Sequence, residues 1–180
     1  MLLMKLDPAG NFVWSRSMGD VQDETGTGVV VDSNSDIYVT GHVHSPNLVV
    51  GAYTLGITGF GDFYVNKYSS SGNVAWSQNT GGNGDEGTSA IAIDLNGNII
   101  VTGFFNSPVI TLSSYTLTNS GMEDVLLARL QGMVTGGSAV NKENFNMLLY
   151  PNPCDGKFTF IRDSELHKLT ITDMEGKSSD

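Results

Sequence analysis

Cysteine is almost missing from this chain, with Cys154 the one example in 180 residues. A lone thiol excludes an internal disulfide framework and any zinc site built on several cysteines. Basic residues are scarce too, nine Lys and Arg against nineteen Asp and Glu, for a formal charge of −10. Phosphate backbones are gripped by clustered Lys and Arg, so nucleic acid is not an expected partner. The acidity names no partner of its own, because a solvated, self-repelling surface accounts for it. No apolar run reaches the roughly 18 residues of a membrane span. The opening MLLMKL has too short an apolar core, and no cleavage site, for a signal peptide. Nucleophile elbow, phosphate-binding glycine loop and HExxH are all missing. The Gly-rich TGGNGDE (residues 80–86) precedes no helical pattern, so it offers no helix N-terminus to a phosphate. Neither an enzyme nor a cofactor is expected.

What the chain does have is repetition. The stretch from Asp62 to Glu86, DFYVNKYSSSGNVAWSQNTGGNGDE, is echoed upstream by LLMKLDPAGNFVWSRSMGDVQDE (Leu2 to Glu24). Downstream, DVLLARL (Asp124 to Leu130) restarts it. Trp14 and Trp76, Lys5 and Lys67, and Asp32 and Asp94 each stand 62 residues apart. A period held without gaps means one supersecondary unit used repeatedly. Each unit carries four runs of strand character, TGVVVD, DIYVTGHV, DFYVNKY and NVAWSQ, and a short extra piece near Tyr53. Their β-branched content and the short spacing between turn signals exclude helices. The expected fold is therefore all-β, with four antiparallel strands per repeat, which suits a β-propeller blade. Val29-Val30-Val31 and Ile99-Ile100-Val101 put apolar bulk on both faces of the pleat, so both faces are expected to be covered. Asn96-Gly97 predicts a tight type I′ hairpin turn. Residues near Gly26 to Gly81 form one complete unit, with half a unit before it and three strands after.

Four polar or aromatic sets invite a chemical reading. Asp23-Glu24 and Asp85-Glu86 are adjacent carboxylates at equivalent loop positions. A glycosidase sets an acid and a base roughly 5–10 Å apart across a sugar. An active site is normally built once, however, and these pairs recur. They are read as acceptors of backbone N–H bonds where the chain enters the next unit. Asp32, Asn34 and Asp36, with Asp94, Asn96 and Asn98, are the calcium candidates, because their spacing matches the first half of a calcium loop. The Gly and Glu that complete an EF-hand are replaced by Ile37 and Val43 in one copy and Ile99 and Phe105 in the other. Asx-turn chemistry at a hairpin tip explains the same residues without a metal. His42 and His44 share a strand face and could begin a zinc or copper site, which needs a third ligand. Trp14 and Trp76 could stack on a sugar or a base; their recurrence beside a turn reads first as packing between units.

The unit at Asp62 to Glu86, followed by AIAIDLNGNIIVTGFF, resembles the bacterial seven-bladed β-propeller repeat family over roughly residues 1–130. That resemblance implies stacked four-stranded blades and a secreted or cell-surface location, without an activity. A closed ring takes at least four blades. The chain is thus expected to be a fragment of a longer array, or to self-associate through exposed blade faces. Residues 131–146 are small and polar and read as a linker. Residues 147–180 contain LLYPNPCDGKFTF and LTITDMEGK, and this segment is similar to the C-terminal sorting domain of the type IX secretion system. Tyr150, Pro151, Asn152, Pro153, Gly156, Asp173, Gly176 and Lys177 carry the likeness. It implies a truncated Ig-like β-sandwich and the secretion machinery as a partner. The function these resemblances imply is non-catalytic: an exported or surface protein binding a glycan or protein ligand, or acting in adhesion. The alternative is an accessory propeller region of a secreted hydrolase whose catalytic domain lies outside the chain.

Overall fold

The computed structural model describes residues 1–112 and 115–130. The linker and Ig-like segments expected over 131–180, with the sorting-signal residues from Tyr150 to Lys177, lie outside the described residues. Thirteen strands and no helix make up the described chain: β1 (Leu2–Leu6), β2 (Phe12–Ser17), β3 (Glu24–Val31), β4 (Ile37–Val43), β5 (Asn47–Val50), β6 (Tyr53–Gly56), β7 (Asp62–Tyr68), β8 (Val74–Thr80), β9 (Glu86–Ile93), β10 (Ile99–Phe105), β11 (Val109–Leu112), β12 (Tyr115–Thr118) and β13 (Asp124–Leu130). The strands pair antiparallel. They form a two-stranded sheet β1-β2, a four-stranded sheet β3-β4-β7-β8 and a three-stranded sheet β9-β10-β13. The piece expected near Tyr53 is a hairpin of its own, β5-β6, and β11-β12 repeats it.

The 62-residue period is kept in three dimensions. From β3 to β9, β4 to β10, β5 to β11, β6 to β12 and β7 to β13, each strand begins 62 residues after its counterpart. Even the irregularities repeat. The bulge that leaves Val13 unpaired between β1 and β2 recurs at Ala75, and the one at Thr27 recurs at Ser89. A bulge sharpens the local twist, so its repetition keeps the sheets similarly coiled. Gly41 and Gly103 sit at the matching point of β4 and β10, where a Cβ would run into the carbonyl of Thr25 or of Gly87. Only glycine lets the paired backbone come that close.

Two apolar clusters lie between the three main sheets. The first joins Trp14, Met18 and Leu3 to Ile37, Val39, Tyr64 and Tyr68. The second joins Tyr38, Phe63, Val65 and Trp76 to Ile99, Val101, Leu126, Ala128 and Leu130. Alternation along β4 and β7 sends neighbouring residues to opposite clusters, as Tyr64 and Val65 show. Each hairpin fills the edge of one cluster, β5-β6 with Leu48, Val50 and Leu55, and β11-β12 with Ile110 and Leu112. Hydroxyls complete the second junction. Thr40 Oγ1 donates to the Tyr64 carbonyl and lies 2.8 Å from Thr88 Oγ1, which is also 3.0 Å from Thr27 Oγ1.

Two expectations need correction. The triple valine is not covered on both faces: Val30 packs against the second cluster, while Val29 and Val31 stand exposed. The cause is position. β3 is the edge of its sheet, and the sheet facing it has only the two strands β1 and β2, which do not reach that far. The Asn96-Gly97 turn is not type I′ either. Of its two residues only Gly97 has positive φ, at 78°, and Gly97 N–H donates to the Asp94 carbonyl. That is a type I turn followed by one left-handed residue, whereas type I′ needs positive φ at both.

Candidate functional site

At one end of the sheets the chain crosses from one unit to the next, and the carboxylates Glu24 and Glu86 organise the crossing. Glu86 is fully buried. Its Oε2 accepts the Gly82 N–H at 2.6 Å and its Oε1 the Ser107 N–H at 3.0 Å. Glu24 does the same one period earlier, accepting Asp20 N–H at 3.0 Å and Ser45 N–H at 3.3 Å. The serines add a second bond each, with Ser45 Oγ accepting from Gln22 N–H and Ser107 Oγ from Gly84 N–H. Asp23 and Asp85 contribute mainly backbone: their carbonyls accept the N–H of His44 and of Asn106. Each unit thus pins its incoming loop with one carboxylate and one hydroxyl.

Asp62 and Asp124 stand beneath these loops at the start of β7 and β13, both buried. Asp62 accepts Thr58 N–H at 3.3 Å and Asn79 Nδ2 at 2.6 Å. Burial pushes its carboxyl up to about 6, the two donors oppose that, and the nearby Glu86 charge adds to it. Asp124 accepts Ser120 N–H in the matching place. His44 lies 3.4 Å from Asp85 through Nε2 and 3.0 Å from the Asp23 carbonyl through Nδ1. His42 packs edge-on against Phe104, 5.6 Å between ring centres. Among the described residues no three His, Cys, Asp or Glu side chains converge on a common metal position. Around this polar frame Phe60 and Met122, one period apart, project into water with 77% and 93% of their surface exposed. Asp20, Asp23 and Glu123 are exposed alongside them.

The opposite end carries the hairpin tips. Asp32 Oδ1 accepts the N–H groups of Asn34 and Asp36, and Asp94 Oδ1 those of Asn96 and Asn98. The remaining Asp94 oxygen takes Asn98 Nδ2. These carboxylate oxygens point into their own turns and build Asx turns. Asp7 makes the same bonds to Ala9 and Asn11 N–H, and Ser69 Oγ takes Asn73 N–H. Lys67, buried, binds Asp36 at 2.8 Å and lies 5.2 Å above the Tyr38 ring. Burial works to lower its pKa, but Asp36 and the Tyr38 hydroxyl outweigh that and hold the ammonium above its ordinary value. Trp14 donates from its indole to the Ser70 carbonyl, with Arg16 stacked 5.4 Å from its ring. Trp76 sits in the second junction, edge-on to Tyr38 at 6.0 Å. A cavity of about 270 Å³ opens between Arg16, Val50, Tyr68 and Val74. The Arg16 guanidinium is spent there on the Gly72, Ser15 and Ser71 carbonyls.

Sequence reasoning missed Ser45, Ser107, Asp62, Asp124, Phe60 and Met122. Each had the same available signal: pairs 62 residues apart with matching chemistry, lying outside the Trp and Asp-Glu marks.

No known protein family profile matches the chain. An aligned stretch of 110 residues, 58% of this chain, is 26% identical to an uncharacterised WD repeat-containing protein of Acanthamoeba polyphaga mimivirus. The chain spans 8% of the length of that protein. The likeness falls on a repeat protein, and the chain itself is an all-β, antiparallel repeat.

Proposed function

We propose that this chain is a β-propeller-like repeat protein, non-catalytic and exported or surface-displayed, that binds a protein partner at the carboxylate end of its sheets. The repeated stacked sheets and the likeness to a WD repeat-containing protein support the architecture. The proposed address rests on the resemblance of residues 147–180 to a sorting domain.

The observation that carries the binding reading is the exposure of Phe60 and Met122. Both occupy the same place in successive units, two residues ahead of β7 and β13, and the fold leaves both in water. The loop frame consumes the backbone N–H groups around them and leaves these two side chains in water. Charge narrows the partner's chemistry. Lys5, Arg16, Lys67 and Arg129, the Lys and Arg of the described residues, all bond near the hairpin-tip end. Among the described residues, the carboxylate end has Asp20, Asp23, Asp85 and Glu123 and no Lys or Arg. A basic segment bearing an apolar anchor fits it.

The test is binding of the immobilised 180-residue chain to synthetic peptides of equal length, one set Lys/Arg-rich with Leu or Phe anchors, one acidic with the same anchors. Preference for the basic set, weakening with salt and at least fivefold weaker in Phe60→Ser, is the expected result. Equal binding of both sets, or indifference to Phe60→Ser, overturns the reading.

A further inference from the structure

We infer that copies of this chain associate head to tail, the outer face of β1-β2 in one copy stacking on the outer face of β10-β13 in the next. The chain's own internal junctions set the standard for such a contact. In β7 the residues Tyr64, Asn66 and Tyr68 point back at the preceding sheet and are 0%, 0% and 2% exposed. One period later Leu126, Ala128 and Leu130 do the same and are equally covered. One period earlier the same three positions are Leu2, Met4 and Leu6, and these are 63%, 51% and 49% exposed. Phe12 stands where Val74 packs into the first cluster, and it too lies open. Four large apolar side chains on one side of a two-stranded sheet make a contiguous face of the kind that marks an interaction site.

The other half of the junction is open at the far end. Phe63 and Val65 on β7 receive the third sheet and are almost fully buried. Their counterparts on β13 are Val125 and Leu127, exposed and half-exposed. Arg129 stands where Lys67 stands. Lys67 keeps its charge inside a covered junction by binding Asp36 at 2.8 Å, whereas Arg129 has Asp94 only at 4.0 Å and makes no hydrogen bond through Nε. The two open faces are the two halves of an interface the molecule already builds twice within itself. Within the 180-residue chain each open face finds its matching half in the other, so the occupant assigned to it in a solution of this chain is a second copy. Because the two faces differ, the contact is heterologous, and it extends or closes into a ring rather than stopping at a symmetric pair.

Sedimentation and light scattering on the full chain test this, with Leu6→Arg and Val125→Arg as the two variants. Both positions are exposed, and circular dichroism is the check that each variant stays folded. The wild-type mass is expected to rise with concentration from the 19.2 kDa protomer to twice that and beyond. Each variant alone should remain a monomer, while an equimolar mixture should form a 1:1 pair, since one retains each good face. A wild-type monomer at every concentration overturns the proposal, including the case where Leu2 and Phe12 are protected within one copy by residues 131–180. A Val125→Arg dimer, meaning symmetric contact of like faces, overturns the head-to-tail polarity. So does a mixture that fails to pair. None of these readouts involves Phe60 or Met122, so the peptide experiment and this one fail separately.

Discussion

Glu86 shows how much a single buried side chain can carry here. Its two oxygens are the acceptors for Gly82 and Ser107 N–H, and at the fully buried Ser107 solvent does not replace them. Glu86→Ala leaves the buried Ser107 N–H unpaired, at roughly 1–3 kcal/mol, and removes the acceptor of the half-buried Gly82 N–H. We expect a loss of roughly 3 kcal/mol in urea unfolding, against about 1 kcal/mol for the half-buried Glu24→Ala; equal losses would contradict the difference in burial. Asp62 gives the pH dependence. Burial pushes its folded carboxyl up to about 6, from 3.8 in the unfolded chain. A raised acid binds its proton more tightly in the folded state, so its contribution is fully present below about pH 4 and is lost as pH rises through about 6. Urea midpoints of the wild type should fall across that window, and Asp62→Asn should remove the part of the slope due to this group. An unchanged slope in the variant would assign the effect elsewhere. At this scale the sequence displayed the recurring Asp-Glu pair but not its donors. Ser107 lies 21 residues from Glu86, and only the pairing of β9 with β10 brings them together.

The hairpin tips are the element most misjudged from sequence alone. DPAGN, DSNSD, SSSGN and DLNGN are one five-residue device, in which the fourth N–H bonds the first carbonyl and the first N–H bonds the fifth carbonyl. Position four is left-handed in each: Gly10, Ser35, Gly72 and Gly97. Reading DLNGN through its Asn-Gly pair gave the wrong turn type, because the unit of recognition is the whole pentamer with its leading Asp or Ser. Ser35 is the exception among the four, a non-glycine at φ 66°. A left-handed L-residue costs about 1–2 kcal/mol, and glycine returns part of that through its unfolded-state entropy. Ser35→Gly should therefore stabilise by roughly 0.5 kcal/mol, and Gly97→Ala should destabilise by about 1 kcal/mol. Thermal or urea unfolding decides it, and a destabilised Ser35→Gly would show that the serine side chain holds the turn.

For the whole molecule, the legible part was whatever repeats along the chain. The 62-residue spacing of Trp14 and Trp76 and the β-branched runs pointed to recurring antiparallel strands, and the strand bounds keep that spacing. What could not be read was how many strands each junction would have to face. That is why Val29 and Val31 looked like core residues and are not. The resulting stack is uneven. The first junction rests on the two-stranded β1-β2 sheet with its outer face open, whereas the second is formed between four strands and three. In a linear stack each unit is held only by its neighbours, so stability should fall toward the thinner end. The two tryptophans report the two junctions separately, since Trp14 lies in the first cluster and Trp76 in the second. In a Leu6→Arg background, which keeps copies apart, Trp76→Phe leaves Trp14 as the reporter and Trp14→Phe leaves Trp76. The Trp14 transition should come at lower urea than the Trp76 transition, and the β1 and β2 amides should exchange hydrogen faster than those of β10. Coincident transitions with uniform protection would mean that the sheets unfold as one cooperative body and that the thin end is held by contacts other than this junction.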